Sequence, residues 1–186
     1  MHPQPLLVAA RSAGSTRSAG SAFVPPSRLP VGMAAPGAWK RAGRVIGTVL
    51  LATDLGPASE SAADRALELA AQLDAGLLIV SVISTPTIRP AGHPGPRVDQ
   101  VRDRRESVAR ALVARGSQAG VAARFLIWAG DPGESIVAAA EAEGADLIVV
   151  GSHGRTGFNR SLMGSVSDYV IRHARAPVVV VRPADR

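Results

Sequence analysis

The sequence predicts an α/β fold, a five-stranded parallel sheet with helices on both faces. Three observations carry this. Five apolar runs alternate with four segments of helical period between residues 45 and 181, an order that lays strands side by side through crossover helices. The runs are continuously apolar rather than alternating, as VIGTVLLAT and LLIVSVI show, which marks strands covered on both faces. A glycine-rich stretch, GSHGRTGFNRSLMGS at 151–165, joins the fourth run to the fourth helical segment, and sheets of this kind bind ligands at such strand ends.

Val45–Thr53 is the first strand, and Asp54–Ser59 the turn after it. The helix that follows sets Ala63, Ala66, Leu67, Ala70 and Leu73 on one face at three-and-four spacing, and Gly76 is expected to stop it. Leu77–Ile83 is the second strand. Residues 84–97 hold four prolines and read as a loop. The next segment is densely charged. Arg97, Arg102, Arg104 and Arg105 accompany Asp99, Asp103 and Glu106, the pattern of a solvated helix face with i,i+4 pairs. Val101, Val108 and Leu112 give that helix its buried stripe, with Gly116 or Gly120 at its end. Val121–Trp128 is the third strand, Trp128 being a packing residue. Asp131, Pro132 and Glu134 then read as N-cap, N1 and N3 of the third helix, which Gly144 closes. Ala145–Val150 is the fourth strand. Val166, Tyr169, Val170 and His173 mark the fourth helix, and Pro177–Val181 the last strand.

Residues 1–44 carry Arg11, Arg17, Arg28, Lys40, Arg41 and Arg44 and no acid. The net charge of +6 therefore sits in this segment, and residues 45–186 are formally neutral. A nucleic-acid-binding domain carries its own basic face, so that class is set aside. Rich in Ala, Ser, Gly and Pro, residues 1–44 show no sustained period. They read as a disordered basic tail or an extension from a start assigned upstream of Met33. A transit peptide is the weaker alternative. The domain proper is expected over 45–186.

Several chemistries are excluded by what is missing. There is no cysteine, hence no disulfide, thiolate metal site or thiol nucleophile. His2, His93, His153 and His173 show no ligand spacing, so no metal site is assigned. Lys40 is the only lysine, which removes the P-loop and kinase lysines from the domain. No apolar run approaches the roughly 20 residues that span a bilayer, and the expected location is cytoplasmic.

The stretch 151–165 concentrates what remains. Gly151, Gly154 and Gly164 follow the spacing G-x2-G-x9-G, with Ser165 directly behind. Glycines let backbone approach a ligand closely. Ser165 opens a helix, whose unpaired N–H groups and positive dipole end favour an anion such as phosphate. Such loops also occur where nothing binds, so the spacing alone leaves phosphate binding open.

The full spacing, in its strand-to-helix setting, resembles the ATP-binding signature of the universal stress protein family, and the resemblance extends over about residues 45–183. It implies a Rossmann-like domain of the adenine nucleotide alpha hydrolase-like type with strand order 3-2-1-4-5. It implies ATP as ligand, alone or with Mg2+. Gly151, Gly154, Gly164 and Ser165 would hold phosphates and ribose, Asp54 would lie near the adenosine end, and the Val82 backbone would recognise adenine. Ala52, Thr53, His153 and Val166 fall in the same two strand-end segments and complete the candidate set. Asp54 as a turn organiser and Val82 as core are the rival readings, and Arg155 and Arg160 could pair with phosphate oxygens. The family also implies a homodimer through the last strand, Ala176–Val181, beside a protein partner the sequence does not name.

No G-x-S-x-G elbow, Cys–His pair or carboxylate pair is present, and no catalytic residue is assigned. The reading is a nucleotide-binding regulatory protein of the stress response rather than an enzyme. A slow ATPase or nucleotide-dependent enzyme on the same fold is the first alternative, and an interaction module with an empty crevice the second.

Overall fold

The computed structural model describes residues 6–8, 46–84, 98–152 and 164–182. Six strands and four helices result. They are β1 (Leu6–Val8), β2 (Thr48–Ala52), α1 (Glu60–Gln72), β3 (Gly76–Ser84), α2 (Val98–Gln118), β4 (Ala123–Gly130), α3 (Pro132–Ala142), β5 (Leu147–Gly151), α4 (Ser165–His173) and β6 (Val178–Val181). The sheet order is β1-β4-β3-β2-β5-β6. From β4 to β6 every pairing is parallel, which is the 3-2-1-4-5 order expected.

The continuous apolar runs are explained by two cores, one on each face. Val49, Leu51, Leu77, Ile79, Leu147 and Val149 point to the face covered by α1 and α2. Leu50, Ala52, Leu78, Val80, Ile148 and Val150 point to the face covered by α3 and α4. Period two thus sends successive apolar residues to opposite cores. Leu50, Leu77, Leu78, Ile79 and Ile148 are fully buried. Each such side chain contributes about 1.5–3 kcal/mol by leaving water. The Asp146 carboxylate accepts the N–H groups of Gly47 and Thr48 at 2.9 and 3.0 Å, which aligns the start of β5 with the start of β2.

Three differences from the sequence expectation are informative. Leu6–Val8, inside the segment read as patternless, pairs antiparallel with β4, Leu6 opposite Ala129 and Val8 opposite Ile127. Three residues are too few to show a period, and an exposed edge offers unpaired N–H and C=O groups to any extended segment. The sheet therefore has a sixth, antiparallel strand beside the five parallel ones. Second, Gly76 does not stop α1. The left-handed position there is taken by Asp74, at φ 50°, a residue type that tolerates it, while Gly76 already belongs to β3 and donates to Gly47 O at 3.0 Å. Third, Gly116 lies inside α2, where a Cβ would come within 3.0 Å of the Ala123 Cβ. It permits close helix-to-strand approach, and Gly120, at φ 73°, takes the turn after the helix.

The cap expected for α3 forms, with the Asp131 side chain accepting the Glu134 N–H at 3.1 Å and Pro132 at N1. Trp128 packs in the α3–α4 core at 5% exposure. No helix among the described residues is long and apolar enough to cross a membrane.

Candidate functional site

The crevice lies where the sheet reverses its winding. From β2 the chain moves to β3 on one side and, later, to β5 on the other. The helices that follow β2 and β5, α1 and α4, pack on opposite faces, the arrangement that opens a cleft at the strand ends. Ala52 is paired with Val150, so Thr53 and Gly151 stand at the mouth together.

On the β2 side the turn is held by its own side chains. Thr53 is buried; its hydroxyl accepts the Leu55 N–H at 2.9 Å and lies 2.8 Å from the Ser59 hydroxyl. Ser59 in turn donates to Gly56 O at 2.8 Å. The Asp54 carboxylate accepts the Gly56 N–H at 2.9 Å through Oδ1, an Asx turn of the kind short acidic side chains form. A Cβ on Gly56 would sit 3.1 Å from that oxygen, so glycine is what allows the carboxylate to fold back. Leu55 occupies the left-handed region at φ 57°, a conformation a branched side chain adopts only when its surroundings enforce it. Asp54 therefore does organise its turn, and that bond fixes its carboxylate at the strand end.

On the β5 side the glycine loop is pinched at its base. Ser152 donates to Val181 O at 2.8 Å, and the Gly164 N–H donates to Ser152 O at 2.8 Å. Gly164 is the N-cap of α4, at φ −64° and ψ 148°, and makes no side-chain cap. Its carbonyl is used twice, by the Asp168 N–H at 2.9 Å and the Ser167 hydroxyl at 2.8 Å. The N–H groups of Ser165 and Val166 belong to the first turn, which has no intrahelical acceptor. Ser165 is exposed at the helix start, and Val166 is half-buried against the α3–α4 core. Asp168 carries a negative charge one turn in. Arg172 offsets it at 3.0 Å, and the Asp168 hydrogen bond, with its charge, raises the Arg172 pKa above its ordinary value.

On the β3 side, Val82 lies just past the last residue paired with β2. It is buried in the α3–α4 core, as the rival reading had it, yet its backbone stands at the cleft. The Val80 carbonyl accepts the Thr53 N–H at 3.0 Å. Alternation along a parallel strand then turns the N–H and C=O of Val82 to the same side, past the last residue of β2. Ala52, Thr53, Asp54, Val82, Gly151, Gly164, Ser165 and Val166 are thus brought to one end of the sheet. His153 and Gly154, with Arg155 and Arg160, lie outside the described residues. Among those described, no cluster of three His, Asp or Glu side chains could hold a metal.

Three residues depart from the sequence reading. Val108, expected in the buried stripe of α2, and Leu73, expected on the apolar face of α1, are exposed, because the stripe of α2 runs through Arg105, Ala109 and Leu112 and Leu73 falls at the C-cap of α1. Arg102 pairs with Glu106 at 3.0 Å and Arg110 with the same carboxylate at 3.4 Å, the i,i+4 pairs expected, although Arg102 and Glu106 are half-buried rather than solvated. Arg105 does not belong to that face. It is 8% exposed, and its Nη1 donates to the Ser81 hydroxyl at 3.0 Å and to Val82 O at 2.6 Å. Its only sequence signal is the i,i+4 step to Ala109 and on to Leu112, which sets it above the buried stripe.

The profile of the Universal stress protein family matches residues 46–182. The chain belongs to the universal stress protein family. Universal stress protein MJ0531 of Methanocaldococcus jannaschii is 31% identical over 137 residues, 72% of this chain and 81% of that protein. YxiE of Bacillus subtilis is 29% identical, over 72% of this chain and 97% of its own. With MJ0577 of M. jannaschii the alignment spans 84 residues at 36% identity, about half of that protein's length (49%). The solved structure of MJ0577 superposes with a TM-score of 0.64 at 25% identity, covering 76% of this chain and 99% of that one. A universal stress protein solved in complex with cAMP superposes at 0.57 with 27% identity, over 74% and 97%.

Proposed function

We propose that this universal stress protein binds an adenine nucleotide, with ATP as the ligand, and acts as a regulatory binding module rather than as an enzyme. The observation that carries the reading is the start of α4. Gly164 caps it without a side chain, at the C-terminal end of β5 and at the reversal of the sheet, so first-turn N–H groups face the place where a phosphate would lie. Asp54 stands across the cleft at the end of β2, within reach of a ribose. The relative complexed with cAMP supports an adenine nucleotide as the class. ATP would be held by Gly164, Ser165 and Val166 at the phosphates, with any Mg2+ carried by the nucleotide. The chain's own residues supply hydrogen bonds and a helix dipole. Among the described residues of the cleft no lysine or histidine stands ready to move a proton or bridge phosphates.

The test is to purify the protein, extract what it carries and identify it, then titrate the stripped protein with ATP and AMP by calorimetry. ATP should bind, and AMP more weakly. A stripped, folded protein that takes up neither would favour the empty-crevice interaction module.

A further inference from the structure

Arg105 bears on which base the cleft accepts. The phosphate-facing end of the cleft is the start of α4, beside β5. Val82, on β3, is two strands away, roughly 10 Å at the usual spacing, and marks the opposite end. Its carbonyl is a strand-end acceptor that β2 is too short to use, since Ala52↔Val80 is the last pair. A guanidinium already holds it. Arg105 reaches up from α2, crosses Ser81, whose hydroxyl anchors Nη1 at 3.0 Å, and donates to Val82 O at 2.6 Å. Arg105 as a whole is buried, at 8% exposure, and a buried charge-assisted bond is among the stronger ones a side chain makes.

We propose that Arg105 is a specificity-determining residue of this cleft, and that by occupying the Val82 carbonyl it lowers the preference for a 6-aminopurine over a 6-oxopurine. The inference rests on the nucleotide reading above. The chemistry is that of donors and acceptors. A 6-amino group needs an acceptor, and at this edge it meets a carbonyl already bonded to a cationic donor, so binding must displace or share that bond. A 6-oxo group is itself an acceptor and meets the donor directly, the match that makes arginine a reader of the O6 edge of guanine. Adenine and hypoxanthine nucleotides differ only at this edge, so ATP and ITP isolate the effect.

Titration of the full chain with ATP and with ITP gives two affinities, and their ratio is the readout. In Arg105→Met, a side chain of similar reach without donors, the Val82 carbonyl is released. The ATP-to-ITP affinity ratio should rise about tenfold or more, the equivalent of one charge-assisted hydrogen bond. Ser81→Ala removes only the anchor of the guanidinium and should shift the ratio the same way by a smaller factor. This second variant also serves if Arg105→Met does not fold. A merely structural role for Arg105 would lower both affinities together. An unchanged ratio in a variant that still binds both nucleotides would overturn the proposal. Failure of the wild-type protein to bind either nucleotide would instead overturn the nucleotide reading, and this inference with it.

Discussion

Replacing Gly164 by valine separates the nucleotide reading from its rivals most sharply. The backbone there, at φ −64° and ψ 148°, lies in a region any L residue occupies, so a side chain adds no backbone strain. The bonds that seat the helix are all main-chain at this position: Gly164 N–H to Ser152 O, and Gly164 O from Asp168 N–H and the Ser167 hydroxyl. Valine leaves each of them possible. As an N-cap, glycine is preferred over an apolar residue by about 1 kcal/mol, so stability should fall by about that much and leave the protein folded. What changes is the space before the first-turn N–H groups of Ser165 and Val166. An isopropyl group there would deny a phosphate one or two charge-assisted hydrogen bonds, about 2–3 kcal/mol at the least. That is a loss of roughly 30- to 140-fold in affinity for ATP. Calorimetric titration of wild type and Gly164→Val measures it, with circular dichroism to establish that both are folded. Equal ATP affinity in two folded proteins would refute the phosphate cradle, whatever else the cleft binds.

Asp54→Ala should weaken ATP and adenosine by a similar factor, about tenfold for one hydrogen bond to a charged group; a loss confined to ATP would place the carboxylate at the wrong end of the ligand. Pro177 O and Val181 O face β5, so alternation turns the Val180 N–H to the open side of β6. Val180→Pro removes it, and light scattering at micromolar concentration should show a dimer in wild type and a monomer in the variant; a dimer surviving the proline would exclude this strand as the interface. Glu143→Ala takes away the carboxylate that meets the buried Arg124 at 2.6 Å and should cost about 3 kcal/mol in chemical denaturation; a change below half of that would mean the pair is screened. Deleting residues 1–44 removes β1 and should leave a cooperatively folding domain whose midpoint falls by no more than about 4 °C, on the order of 1 kcal/mol; loss of folding would refute a domain boundary at 45.

The parallel sheet was legible because burial on both faces erases alternation. Val49 and Leu50 go to different cores, and both must be apolar. The α3 cap was legible because Asp131, Pro132 and Glu134 act over four residues and need nothing distant. The stop of α1 was not, since Asp74 and Gly76 are both competent, and the choice turns on where β3 begins to pair with Gly47. At the site, glycine spacing marks the start of α4 well, because the backbone requirement and the residue type coincide there. Arg105 escaped because its neighbours in sequence are charged. Only the third dimension, in which Ser81 and Val82 of β3 meet the Arg105 side chain from α2, distinguishes it from Arg102 and Arg104. β1 escaped for the opposite reason, being too short to have a pattern at all.

The two sides of the sheet are unequal in what they leave exposed. Along β4 the ladder is continued by the antiparallel Leu6–Val8, while β6 at the far side pairs with no further strand among the described residues. A short edge strand presents few unpaired backbone groups, and a two-fold axis through the other edge would pair that edge with its own copy. Joined in that way, two copies would form one continuous sheet with β1 at either end, so that the outer edges of the pair would be three-residue strands, which offer a further chain little to pair with.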